Sequence, residues 1–385
     1  MTVRKPVYLA GWGHCSARGL DASTAATAML AGQTGHDGRQ TGGQRYPYFR
    51  MPLPQSGSQT VSQTSWLQRA EAAMHACVAG MRQRLPDALW QQLPVFFASS
   101  SFQVGLFEEA QAQHDLPRGA GSFALQCMQW LGLPAVPQCF SHACTSSAVA
   151  CDAAASWLAQ GRATHALVIA TEYDNQLTAN GFYSLGLLSP DACRPFAADR
   201  NGFVLGEAVA AVLLTTDARL AQAMAEPLCW RLSASVSATD TYALTGPDPS
   251  GRPIAAVIQA ALQQAGLAAA DISLVKLHAA GVGSTDTAEA HALQHVFGAQ
   301  MPPLLSLKPY LGHTLGASTL AEVTALLACL NHGHIPATPG CAVPDPELGL
   351  VPVGSRQPLQ PEHVLCISVG FGGSVAAGVL SRGLA

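Results

Sequence analysis

The stretch Cys139-Phe-Ser-His-Ala-Cys144-Thr-Ser-Ser-Ala-Val-Ala-Cys-Asp-Ala-Ala-Ala-Ser-Trp-Leu-Ala-Gln160 changes character at Cys144. Before it the chain reads as extended. After it, an alanine-rich run without Gly or Pro has good helix propensity. Thr145, Ser146 and Ser147 fall in the expected first turn, where hydroxyls can satisfy free backbone N–H groups. A thiol at that end of a helix feels the positive end of the dipole, which favours thiolate. This is the form of a nucleophile presented at a strand-to-helix turn. A buried, inert cysteine fits the same residues, because free Cys is among the most buried residue types. Downstream residues decide between the two.

The 385 residues exceed the usual limit for one hydrophobic core. Two core units, or one large fused α/β body, are expected. Hydrophobic residues make up 49% and charged residues 11%, so much surface must be hidden. Helices layered on buried sheets would hide it, as would a large oligomer interface. A net charge of −4 argues against nucleic-acid binding through bulk positive charge. No apolar run approaches the roughly 20 residues of a membrane span. The N-terminus, Met1 to Gly13, reads as a first strand and turn and lacks the apolar core of a secretory signal. The 11 cysteines form no Cys-x-x-Cys pair, and Cys77, Cys329 and Cys366 sit in apolar context. That pattern fits reduced thiols in a cytoplasm better than a disulfide framework or a zinc site.

Strands are expected over residues 6–13, 93–99, 164–171, 208–215, 230–238, 272–278 and 304–307, with a closing hairpin from 365–369 and 376–380. Helices are expected over 21–31, 66–84, 104–131, 251–266, 285–296 and 314–332, besides the one after Cys144. The Gly-, Gln-, Ser- and Pro-rich run from Gly32 to Thr64 reads as a long irregular excursion. The chain changes over near Met224–Pro227, which divides it into residues 1–226 and 227–385. An echo links the two parts. Cys144 precedes an Ala-rich helix, a Gly and a strand, and so does His313 in Gly312-His-Thr-Leu-Gly-Ala-Ser-Thr-Leu-Ala-Glu-Val. A duplicated plan would bring the N-terminal ends of both helices to a shared centre.

Three segments place polar residues at the ends of expected strands, where open α/β folds hold their sites. They are Leu277-His278-Ala-Ala-Gly281-Val-Gly-Ser-Thr-Asp286-Thr-Ala-Glu289, Ser306-Leu-Lys308-Pro-Tyr-Leu-Gly312-His313, and Gly370-Phe371-Gly-Gly-Ser374. With Cys144 and the block Arg194-Pro-Phe to Glu207, this set resembles the β-ketoacyl synthases of the thiolase superfamily over nearly the whole chain. The resemblance implies an α/β, thiolase-like five-layer αβαβα fold of two similar halves, each with a mainly parallel sheet. It implies an acyltransferase that performs a decarboxylative Claisen condensation, with Cys144 holding the acyl group. His278 and His313, as neutral imidazoles, would donate to the malonyl thioester oxygen. The backbone N–H groups of Cys144 and Phe371 would form the oxyanion hole. Lys308 would hold a charge network with Glu322 as its partner. Phe371, between glycines, resembles the family's gating phenylalanine, and Phe203 reads as packing near the pocket.

The chain also departs from the family pattern. Ala280 and Val282 replace two threonines whose hydroxyls bind the phosphopantetheine arm of the carrier protein. Ala279 replaces a glycine, Val375 replaces an asparagine, and His142 stands where a small hydroxyl residue is common. The resemblance implies acyl carrier protein as partner, no cofactor beyond the arm that it carries, and no metal. It implies a dimer, with a copy of itself or with another ketosynthase, whose interface is expected near the helix and strand at 144–171. Fatty-acid or polyene/type II polyketide-like biosynthesis is the expected setting. A chain-length-factor-like partner subunit with little catalysis of its own is the alternative. A degradative thiolase is disfavoured, because Cys341 and Cys366 lack the context of its second cysteine.

Overall fold

The computed structural model describes residues 5–52, 65–110 and 119–383. Ten strands form one sheet: β1 (Val7–Ser16), β2 (Val95–Ala98), β3 (Gln138–Phe140), β4 (His165–Glu172), β5 (Ala208–Thr215), β6 (Trp230–Thr239), β7 (Leu274–Lys276), β8 (Leu304–Leu305), β9 (His363–Val369) and β10 (Ser374–Arg382). Their spatial order is β3-β2-β4-β5-β1-β6-β10-β9-β7-β8. Read outward from the middle, one half runs β1-β5-β4-β2-β3 and the other β6-β10-β9-β7-β8, which is the same order with each number raised by five. The echo in the sequence is therefore a repeat of topology. The halves meet where Val7–Leu9 of β1 pairs antiparallel with Trp230–Leu232 of β6.

Strand direction repeats too. β2 is parallel to β3 and β4, as β7 is to β8 and β9, and the remaining pairs in each half are antiparallel. The mainly parallel sheets expected from the sequence are thus mixed. A continuous apolar run such as that of β4 reports burial on both faces, which an antiparallel neighbour satisfies equally well.

The principal helices are α1 (Ala22–Leu30), α2 (Trp66–Arg84), α3 (Ala120–Trp130), α4 (Ser146–Ala159), α5 (Gln176–Ser184), α6 (Arg252–Ala265), α7 (Gly283–Phe297) and α8 (Ser318–Asn331). Three apolar clusters separate five layers. Met74, Cys77 and Phe123 of α2 and α3 pack on Phe97 and Ile169. Ile254, Ile258 and Leu293 of α6 and α7 pack on Val275 and Ile367. Between the two half-sheets, Ala150, Ala154, Leu320 and Leu327 of α4 and α8 meet Phe96 and Val168 on one side and Leu274 and Val364 on the other. Adjacent strand residues such as Phe96 and Phe97 thus serve different layers, the period-2 alternation of a sheet buried on both faces. The αβαβα order follows, with α4 and α8 as its central layer.

The excursion after Gly32 contains regular structure. Asp37–Thr41 and Gln44–Phe49 form a hairpin, and the second strand continues parallel to Leu205–Gly206. Its two-residue turn is Gly42-Gly43, both at positive φ (58° and 79°), which is the chemistry a tight hairpin requires. The parts of the expected loop and helix at 53–64 and 111–118 lie outside the described residues.

Candidate active site

The chain leaves β3, passes Ala143 at a φ of +47°, and enters α4 two residues after Cys144. Positive φ at a residue with a Cβ is strained, and here it points the Cys144 side chain inward rather than along the helix surface. The hydroxyls beside it do not cap their own helix as expected. Thr145 precedes α4 without capping it by its side chain and instead donates to His142 O (2.9 Å). Ser146 Oγ accepts from His142 N (2.8 Å) and donates to Ala143 O (2.7 Å), bracing the turn. Ser147 Oγ accepts from Leu320 N of α8 (3.3 Å). The two central helices are therefore joined at their N-terminal ends, and Cys144 and His313 meet there. His313 Nε2 lies 3.1 Å from Cys144 Sγ.

His313 is placed from both sides of the molecule. Gly312 precedes it at a φ of +73°, where a Cβ would fall 2.8 Å from Leu205 O. Its N–H donates to Val204 O (2.6 Å), and its carbonyl accepts from Gly206 N (3.2 Å). The Phe203 ring stands edge-on to the imidazole at 5.1 Å. The block from Arg194 to Glu207 thus holds the second histidine. His278 follows β7, and its ring meets that of His313 at 5.5 Å, nearly perpendicular. Glu289 of α7 fixes its backbone, accepting from His278 N (2.6 Å) and Ala279 N (2.7 Å).

Below the histidines lies a buried ion cluster. Lys308 Nζ donates to His278 O (2.6 Å) and to Glu322 Oε1 (2.7 Å). Lys276 Nζ donates to Glu322 Oε2 (2.7 Å) and to Ile367 O (3.0 Å), and Ser318 Oγ donates to Glu322 Oε1 (2.7 Å). Lys276 was not anticipated. Its signal was a lysine inside the apolar run Leu274-Val-Lys-Leu277, since an amine so placed needs a buried partner. Two ammonium groups on one carboxylate leave the cluster net positive. Glu172 is a second unanticipated anchor. It accepts from Ser100 N (3.0 Å) and Gly316 N (2.9 Å) and bonds the Ser101 hydroxyl, tying the end of β4 to the segment after His313.

These surroundings set the protonation states. Burial would raise Glu322, but Lys276 and Lys308 outweigh it and hold the carboxyl at about 2. Burial and the Lys308 charge lower both histidines, His313 to about 3 and His278 well below its ordinary value. Both are neutral imidazoles at physiological pH. The expectation of a thiolate at Cys144 fails. Burial pushes the thiol up to about 12, against the opposing pull of Lys308 and of the Phe371 and Cys144 N–H groups. A helix end gives a fraction of a charge, which does not offset removal of the sulfur from water. Cys144 rests as a thiol beside a neutral acceptor.

The cavity over the sulfur is small, about 30 Å3, and is lined by Cys144, His278, His313, Phe182, Phe203 and Phe371, among others. Phe371 packs edge-on against Phe182 of α5 at 5.6 Å. The loop that carries it rests on a neighbour. Gly372 N donates to Leu244 O (2.8 Å), and Gly373 O accepts from Asp240 N (2.6 Å). A Cβ at Gly373 would lie 1.7 Å from Asp240 O, so only glycine permits this contact. Ala280 and Val282 present methyl groups to the same cavity. His142 is exposed, outside it. Among the described residues, no group of three or more His, Cys, Asp or Glu side chains is arranged to hold a metal ion.

Much of the chain matches known proteins in sequence, and nearly all of it in fold. Residues 109–219 match the family profile "Beta-ketoacyl synthase, N-terminal domain", and residues 230–342 match "Beta-ketoacyl synthase, C-terminal domain". The chain is 35% identical over 192 residues to a 3-oxoacyl-[acyl-carrier-protein] synthase 2 of Mycobacterium bovis, covering 50% of this chain and 46% of that protein. It is 34% identical over 255 residues to a putative polyketide beta-ketoacyl synthase 1 of Streptomyces halstedii, covering 63% and 60%. The matched region thus spans about half the length of such curated relatives. Among solved structures, a ketosynthase in complex with its chain length factor from Xenorhabdus doucetiae superposes with a TM-score of 0.81 at 24% identity, covering 98% of both chains.

Proposed function

The chain belongs to the β-ketoacyl synthase family, and from that premise we propose that it is a β-ketoacyl-ACP synthase. The reaction is decarboxylative condensation of an acyl chain on Cys144 with malonyl-ACP, in fatty-acid or polyene/type II polyketide-like biosynthesis. The observation that carries this reading is the 3.1 Å approach of His313 Nε2 to Cys144 Sγ.

The chemistry follows from those groups. As Cys144 attacks an acyl thioester, its proton passes to neutral His313. The oxyanion forms against the two backbone N–H groups, and the carrier thiol leaves with a proton. Malonyl thioester then enters and loses CO2. The electron pair left behind becomes an enolate whose oxygen is held by the ring N–H groups of His278 and of His313, the latter now in its Nε2–H tautomer. The enolate carbon attacks the acyl-Cys144 carbonyl, and collapse of that adduct expels the Cys144 thiolate, which takes up a proton from solvent to restore the resting thiol. Lys276, Lys308 and Glu322 touch neither substrate. Burial first, and the charges of Lys308 and Lys276 second, keep both imidazoles neutral, and the net positive charge favours the anionic steps.

Cys144→Ala should abolish condensation, because the truncated side chain cannot hold the acyl group. Incubation with acyl-ACP followed by digestion and mass spectrometry should find the acyl group on Cys144 alone. Acylation at Cys139 or Cys151 would refute the assignment. Ala280 and Val282 favour one second reading, a chain-length-factor-like partner subunit. If that reading holds, a heterodimer carrying Cys144→Ala extends chains at the wild-type rate. The proposal includes ACP as partner and a dimeric assembly. It places the chain in the cytoplasm, in keeping with 11 unpaired cysteines. No described helix is long and apolar enough to cross a membrane.

A further inference from the structure

The proposed reaction puts a growing acyl chain on Cys144, and the cavity over that sulfur offers only about 30 Å3. A space of that size holds about two groups the size of a water molecule. A chain beyond the shortest acyl groups therefore enters only if a wall moves. Much of the wall is fixed. Cys144, Phe203, His278, Ala280 and His313 are all buried, and close-packed side chains have nowhere to go. Phe182 is different. It is half-buried, and its ring meets those of Phe203 at 5.0 Å and Phe371 at 5.6 Å. It stands on α5, a surface helix in which only Ala179 is buried and on which Leu177 is 68% exposed. So little buried surface leaves the helix dependent on what holds it from outside.

The N-terminal end of α5 is pinned. Glu108 accepts from Gln176 N (2.5 Å) and Leu177 N (2.7 Å), and Asn175 Oδ1 accepts from Thr178 N (2.8 Å). The other end, which carries Phe182, leans on the hairpin Asp37–Phe49. Tyr183, next to Phe182 in the chain, meets the Tyr46 ring edge-on at 5.8 Å. It also lies so close to the hairpin turn that a Cβ at Gly42 would fall 2.2 Å from its ring. The same hairpin reaches the start of the helix through Arg39, which donates to Gln176 Oε1 (3.2 Å) and pairs with Asp174. The hairpin is itself fastened to the body, where Tyr48 and Phe49 pair with Leu205 and Gly206, the segment whose backbone holds His313. Successive residues of a helix point about 100° apart. Phe182 thus faces the cavity while Tyr183 faces the hairpin, and neither ring shifts outward without the other.

We infer that the hairpin is a strap on α5. Tyr46, acting through Tyr183, is a positioning residue that keeps Phe182 over the cavity and restricts Cys144 to short acyl chains. The inference rests on the condensing-enzyme reading above, and two measurements keep the two apart. In the first, acylation of Cys144 by acetyl-pantetheine and by decanoyl-pantetheine is followed by intact mass. The wild-type protein should take acetyl faster. Tyr46→Ala should leave acetyl transfer within about twofold and raise the decanoyl rate about five- to tenfold, the worth of one aromatic pair. Tyr183→Ala should do the same, and the double variant should gain no more than either, because both remove one contact. Tyr46→Phe keeps the ring and should match the wild type. In the second, decanoyl-pantetheine is titrated calorimetrically into the Cys144→Ala protein, where no transfer occurs. Adding Tyr46→Ala should lower the dissociation constant by the same factor. A wild-type protein that takes both esters at one rate, an unchanged decanoyl-to-acetyl ratio in Tyr46→Ala, or an equal rise with both esters would overturn the strap. If the wild-type protein is acylated by neither, the condensing reading fails, and the titration still decides the role of Tyr46.

Discussion

Ala279 is a fully buried residue held at a φ of +33°, next to His278 in the chain. The left-handed region costs a residue with a Cβ roughly 1–2 kcal/mol, and a glycine loses about 0.5–1 kcal/mol more conformational entropy on folding. Ala279→Gly should therefore stabilise the protein by about 1 kcal/mol, read as a higher urea midpoint at unchanged slope. A lower midpoint would show that packing of the methyl group outweighs the backbone strain. The strain persists because Glu289 grips the N–H groups of His278 and Ala279 together. Residues of this kind also mark what the sequence could disclose. Cys144, His278, His313 and Lys308 were legible because each stands next to a glycine, a turn or a strand end. Lys276 was legible in principle and missed, since an amine in an apolar strand was read as part of the strand. The protonation state of Cys144 was not legible, because it depends on burial by residues distant in the chain, from Ala179 and Phe182 to Leu315 and Phe371.

At the scale of elements, α4 and α8 bring one strand-end loop from each half together, and small polar groups fasten them. Ser147 reaches from one helix to the other, and His14 of β1 bonds into the same layer, with Nδ1 3.0 Å from Thr324 Oγ1 and Nε2 2.8 Å from Ser16 Oγ. Burial lowers His14 to about 4, against the raising influence of Asp21 and of its backbone contact. The unfolded chain takes up this proton near pH 6.5, whereas the folded one does not until about pH 4. Stability is therefore complete above pH 6.5 and is lost as the pH falls toward 4, by roughly 3 kcal/mol from this residue. His14→Gln keeps hydrogen-bonding capacity but cannot titrate. It should flatten the dependence of the thermal midpoint on pH between 6.5 and 4.5, and an unaltered slope would count against His14. Elements with strong periodicity or buried composition were legible within a few residues, α2 and β5 most closely. The hairpin Asp37–Phe49 was not, because its few apolar residues do not alternate. Its only clear signal was Gly42-Gly43, whose two positive φ angles the turn needs.

The whole molecule was legible as two copies of one plan, because the Ala-rich helix after Cys144 recurs after His313. The assembly was less so, because an open sheet edge is a property of strand order and not of local sequence. The ten-stranded sheet has two edges. At β8, Val353 N donates to Leu304 O (2.8 Å), and both residues of the strand are buried. At β3, Cys139 is exposed, and Val136 just before the strand is 80% exposed. An uncovered edge with apolar neighbours invites pairing with another chain. Part of the expected interface must then move. β4 lies inside the sheet between β2 and β5 and is buried almost throughout, so it cannot face a partner. The exposed feature nearby is β3, beside half-buried residues of α4 such as Trp157. A β3 edge paired across a twofold axis would extend the sheet and place Val136 at the contact. Sedimentation at nanomolar concentration should then show a dimer with no monomer. Val136→Glu should raise the dimer dissociation constant tenfold or more without lowering the thermal midpoint of the isolated chain, because the side chain contributes nothing to its core. A stable wild-type monomer with full activity would sink the proposed assembly, and a Val136→Glu dimer of unchanged affinity would move the interface away from β3.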